Sequence, residues 1–124
     1  MQKKIADRQY IFDYVKDAFG TEPEYLWKTA PSYAVLRHKS NRKWYAAVMD
    51  VPRERLGLPG EGCVDIINVK CDPALVGSLR TNTGYLPAYH MNKDSWISIL
   101  LDGSVPAEEI CGLINMSRRL TGNK

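Results

Sequence analysis

The sequence has little of what most site chemistry is built from. It contains two histidines, His38 and His90, and three cysteines, Cys63, Cys71 and Cys111. The thiols are 8 and 40 positions apart, with no Cys-x-x-Cys pair, so neither a structural zinc site nor any other metal centre is expected. An odd number of irregularly spaced cysteines reads as reduced thiols in the cytoplasm. A nucleophilic cysteine needs a base and a lowered pKa, and spacing displays neither. No apolar run approaches the roughly 20 residues of a membrane-crossing helix, so no membrane partner is expected. The start, Met1-Gln2-Lys3-Lys4-Ile5-Ala6-Asp7-Arg8, lacks the apolar core of a secretion signal, which also points to the cytoplasm. There is no Walker loop, no Gly-x-Gly-x-x-Gly and no Gly-x-Ser-x-Gly. No catalytic residue and no cofactor is assigned.

What is present suits one globular domain spanning 1–124. Hydrophobic residues make up 44% of the 124 and charged residues 25%, enough to form a core and too balanced for disorder. The net charge of +3 is a weak bias, so its distribution matters more. Arg37-His38-Lys39-Ser40-Asn41-Arg42-Lys43 holds four permanent cations and no acid. Asp7, Asp13, Asp17, Glu108 and Glu109 lie elsewhere.

Apolar spacing predicts a helix from about Lys3 to Phe19, with Ile5, Phe12, Val15 and Phe19 near one face and Gly20 closing it. Glu24–Lys28, Tyr33–His38 and Lys43–Met49 read as strands, the last two joined by the polar connection Lys39–Arg42. Pro52–Gly62 reads as a loop and Val64–Lys70 as a further strand. Asp72-Pro73 starts a short helix, Asp as cap and Pro at the first position. Tyr85–His90 and Ser95–Leu101 are extended, and Ser104-Val105-Pro106 opens a final helix. Its acids Glu108 and Glu109 and its bases Arg118 and Arg119 complement the helix dipole. The order is α-β-β-β-β-α-β-β-α. Short connections favour an antiparallel sheet packed with helices, an α+β fold.

Two clusters are candidates for function. In Pro87-Ala88-Tyr89-His90-Met91-Asn92-Lys93-Asp94-Ser95-Trp96, His90, Asn92 and Lys93 suit an anion, and Tyr89 and Trp96 suit stacking on a base. The same residues have structural roles open to them: Asn92 as a turn cap, Met91 and Trp96 as core, His90 bonded to a backbone carbonyl. The second cluster is the hairpin carrying Arg37, Lys39, Arg42 and Lys43. Cations on a ribbon suit phosphates, and they equally suit a solvated turn that protects a sheet edge. The carboxylates Asp65, Asp72, Glu108 and Glu109 offer acid pairs, although capping and helix starts account for the last three.

Asn68-Val69-Lys70-Cys71-Asp72-Pro73, Pro87–Lys93 with Trp96, and Leu101-Asp102-Gly103-Ser104-Val105-Pro106 together resemble the MmcQ/YjbR family, small bacterial proteins many of which have no assigned role. The resemblance runs from the opening helix through Trp27-Lys28 to the last helix. Ala88 stands where many relatives have Gly, and the basic hairpin is longer than in many of them. The resemblance implies a YjbR-like or CyaY-like fold of the double-wing type, and DNA binding by analogy of shape. The expected function is therefore a non-enzymatic, monomeric DNA-binding module using Arg37, Lys39, Arg42, Lys43, His90, Asn92 and Lys93. The alternatives are a protein-interaction module exposing Tyr25, Trp27 or Tyr89, and an enzyme with a small-molecule pocket beside His90.

Overall fold

The computed structural model describes residues 5–122. Helix α1 spans Arg8–Phe19, capped at its start by Asp7, whose carboxylate accepts from Tyr10 N. Gly20 closes it with φ 68°, a left-handed conformation that costs glycine little. Lys3 and Lys4 lie outside the described residues. The Asp7 cap sets the start later than apolar spacing alone suggests, and Ile5 ahead of it is exposed.

Five strands follow: β1 (Ala34–Arg37), β2 (Trp44–Pro52), β3 (Cys63–Lys70), β4 (Tyr85–Pro87) and β5 (Trp96–Leu100). They form one antiparallel sheet in the order β1-β2-β3-β5-β4. The short turn Arg53–Leu56 lies between β2 and β3, helix α2 (Pro73–Leu79) between β3 and β4, and helix α3 (Ala107–Thr121) closes the chain. The expected strand at Glu24–Lys28 reduces to one bridge, Glu24 to Val35. Beyond it Trp27 packs its ring edge-on against Tyr33 and Trp44, and the backbone leaves the sheet. Burial of the side chain outweighed strand propensity there.

Period-2 alternation divides the sheet into two faces. Leu36, Ala46, Val48, Ile67, Val69, Ile97 and Ile99 face α1 and α3, meeting Ile11, Val15, Ile110 and Ile114. Burial of each such large side chain contributes about 1.5–3 kcal/mol. Val35, Ala47, Met49, Val51, Val64, Ile66 and Leu100 face the other way. No hydrophobic residue of α1, α2 or α3 is part of that cluster; Trp27, Tyr33, Trp44, Leu56, Leu58, Leu86 and Tyr89 cover it instead. One face is sealed by helices, and the other is roofed by aromatic side chains and loops.

Three polar devices fix the parts. The Ser117 hydroxyl accepts from Lys70 N at 2.9 Å and donates to the Tyr45 carbonyl, standing in for the next rung of the β2–β3 ladder. Arg8 grips Asp65 through two bonds of 3.0 Å and donates to the Ser32 carbonyl. Tyr45 Oη donates to Thr21 Oγ1 at 2.7 Å.

Candidate functional site

The connection between β1 and β2 is pinned down. Arg42 N donates to the His38 carbonyl and Lys43 N to Asn41 Oδ1, while Arg42 takes a left-handed φ of 65°. His38 is buried, with Nε2 2.8 Å from Thr121 Oγ1, and Asn41 Nδ2 donates to the Thr121 carbonyl. The Thr121 hydroxyl donates to the Ser117 carbonyl at 2.8 Å, which ties the same threonine to the helix. Burial lowers the His38 pKa first, and the Arg118 charge lowers it further. The turn therefore rests on the last turn of α3 instead of standing clear as a ribbon.

The hairpin cations divide. Arg37 Nε lies 3.1 Å from Glu24 Oε2, an ion pair outside hydrogen-bond geometry, and this cation is mostly buried and compensated. Lys39, Arg42 and Lys43 are exposed, and among the described residues none pairs with a carboxylate. The Lys39 ammonium lies beside Gly20, over the carboxyl end of α1. Arg118 stacks on Phe19 and Tyr45, at 4.0 and 5.1 Å from the ring centroids, and Arg119 is exposed on the same last turn of α3. Arg119, reached through the docking of the turn on Thr121, was not a candidate from sequence.

The second cluster sits on the roofed face. Asn68, fully buried in β3, donates to the Tyr89 carbonyl at 2.9 Å and accepts from Ser98 Oγ, which in turn accepts from Tyr89 N. This network holds His90 in a left-handed conformation, φ 59°, with its ring 4.0 Å from that of Tyr89. Asn92 uses its side chain to cap the turn that follows, accepting from Asp94 N. His90 and Lys93 line one cavity of about 310 Å3 together with Arg55, Leu86 and Tyr89. His90 also borders a cavity of about 370 Å3 walled by Trp27, Tyr33, Trp44, Met49 and Met91. No hairpin cation lines either one. The expected site residues thus form two groups, with Arg37 and Asn92 occupied by local partners. Arg55, which the sequence shows only as a cation beside Glu54 in the Pro52–Gly62 loop, joins the second group.

The remaining reactive groups are committed to structure. Asp65 is held by Arg8, Asp72 caps α2, and Glu109 accepts from the Tyr85 hydroxyl. Burial, and then that carboxylate, push the Tyr85 pKa far above its ordinary value. Burial raises the Cys71 and Cys111 thiols, the opposite of activation. Among the described residues no group of His, Cys, Asp and Glu is arranged to hold a metal ion, and no helix is long and apolar enough to cross a membrane.

Fold and surfaces define a small α+β protein with a basic turn at one end and an aromatic-roofed sheet face. The YjbR family model matches residues 16–120, and the chain belongs to the YjbR family. It is 49% identical over 114 residues to the uncharacterised protein YyaQ of Bacillus subtilis (strain 168), covering 92% of this chain and 97% of that one. A crystal structure of a Pseudomonas syringae protein matches with a TM-score of 0.91 at 48% identity, covering 94% of this chain and 99% of that one. A Deinococcus radiodurans protein with the domain DUF419 shares the fold, with a TM-score of 0.74 at 21% identity over 100% of this chain and 84% of that one.

Proposed function

We propose that the protein is a cytoplasmic, non-enzymatic DNA-binding module that holds backbone phosphates on the β1–β2 turn. One observation carries this reading. Lys39, Arg42 and Lys43 are exposed on a turn whose backbone is fixed against Thr121, and none is paired with an acid among the described residues. A turn backbone held in this way has little freedom left to lose on binding. Phosphate contacts carry no base information, so binding is weakly sequence-specific.

Fluorescence anisotropy with a labelled duplex tests it. Each neutralised phosphate contributes a slope of about −0.9 in log–log salt dependence, so three contacts weaken binding roughly fortyfold between about 50 and 200 mM salt. The variant K39A/R42N/K43A, with Asn chosen for its tolerance of the left-handed position, should lose most of the affinity and most of the salt slope. Flat anisotropy at low salt, or unchanged binding by the variant, removes the reading.

A second reading, a protein-interaction module, draws on Tyr25 and Leu26, which are 54% and 48% exposed beside the Glu24–Val35 bridge. Under it, Tyr25→Ser with Leu26→Ser abolishes partner capture and leaves duplex binding intact. A pull-down that returns nucleic acid alone counts against it.

A further inference from the structure

We propose that the roofed face of the sheet carries a binding site for a planar aromatic group bearing an anionic substituent. The ring would lie among Trp27, Tyr33 and Trp44, and its charge on Arg55, His90 and Lys93. The larger cavity, about 370 Å3, is walled by those three rings with Met49 and Met91. Trp27 meets Trp44 at 5.6 Å and Tyr33 at 6.0 Å, both edge-on, so the walls brace one another. Flat, polarisable walls suit a flat ring. The neighbouring cavity, about 310 Å3, presents Arg55 and Lys93, and His90 borders both. Both volumes fall within the ordinary range of small-ligand sites. Neither lining includes a carboxylate, and Arg55 and Lys93 supply the site's permanent positive charges.

The site is built rather than incidental. A non-glycine residue at φ 59° is strained by about 1–3 kcal/mol, and the buried Asn68–Ser98–Tyr89 network is what holds His90 there. The ring so placed stands between the aromatic and the basic cavities. Nothing in this arrangement depends on the β1–β2 turn.

NMR titration of the full-length 15N-labelled protein with adenosine monophosphate, salicylate and adenosine tests the proposal. Both anions should shift the indole N–H signals of Trp27 and Trp44 and the amides of residues 88–91. Uncharged adenosine should bind about tenfold more weakly, and R55A/K93A, altered at two exposed positions, should lose about tenfold for both anions. Unmoved Trp27 and Trp44 signals overturn the site, as does adenosine binding as well as its phosphate or R55A/K93A binding as wild type does. Shifts from adenosine monophosphate confined to residues 39–43 overturn it too, while leaving the phosphate reading of the turn standing. Loss of duplex binding with the cleft shifts intact has the opposite meaning.

Discussion

Asn68 and Tyr89 are joined by a hydrogen bond of 2.9 Å from the carboxamide of one to the backbone carbonyl of the other. The first lies in the motif ending at Asp72-Pro73 and the second in the motif running to Lys93. Their contact explains why the two occur together in one chain: a buried amide in the sheet determines the shape of a surface segment.

Asn68→Ala leaves the Tyr89 carbonyl without its donor and removes the acceptor of Ser98 Oγ. The expected loss is about 1–3 kcal/mol in urea denaturation, with faster hydrogen exchange at Tyr89 N. Unchanged exchange at that amide would show that the segment is held by something else.

Ser117→Ala strips partners from Lys70 N and the Tyr45 carbonyl at the end of the β2–β3 ladder. Stability should fall by about 1–3 kcal/mol. The replacement is smaller, so a cavity adds little, and a neutral result would mean that the two backbone groups re-pair directly.

His38 predicts acid sensitivity. Its folded pKa lies below the ordinary 6.5 because it is buried and faces Arg118 and Lys43. The unfolded chain therefore binds the proton more readily. The stability linked to this residue is full above about pH 6.5 and drains away as the pH falls through the folded value. Thermal unfolding at stepped pH should show the decline, and His38→Gln should flatten it. A wild-type profile level from neutral pH to well below 6.5 contradicts the linkage.

Gly84 and Gly57 make a matched comparison. Both have positive φ, 93° and 72°. An added Cβ at Gly84 would lie 2.5 Å from Val105 Cγ2, whereas at Gly57 nothing lies within 4 Å. Gly84→Ala should cost about 2–4 kcal/mol and Gly57→Ala about 1 kcal/mol, because only the first combines strain with overpacking. Equal costs from denaturation curves would contradict this account.

Local chemistry was the legible part of the fold. Gly20 and Asp72 announce a helix end and a helix start through what their own atoms can do, and β2 and β3 declare themselves by alternation. The Glu24–Lys28 segment misleads because its aromatic residues carry strand propensity, yet Trp27 is worth more against Trp44 than its backbone is in a ladder. The site was half legible. His90 and Lys93 stand out by type, but Arg55 lies more than thirty positions earlier in a loop with no periodicity, and only the folded chain brings it alongside. Arg37 and Lys39 look equivalent in one dimension. Only the tertiary structure puts a glutamate beside the first and the carboxyl end of α1 beside the second.

The strand order also constrains how the molecule can be assembled at the ribosome. β1, β2 and β3 can zip together as they emerge, each beside its predecessor. β4 cannot join them, because its berth is on the far edge of β5, which has yet to be synthesised. The three residues of β4 must wait, tethered by α2, until the later strand slots in between. A nascent chain whose emerged part ends just before Trp96 would therefore carry a finished meander and a dangling tail, and emergence of the next few residues would capture both remaining strands at once.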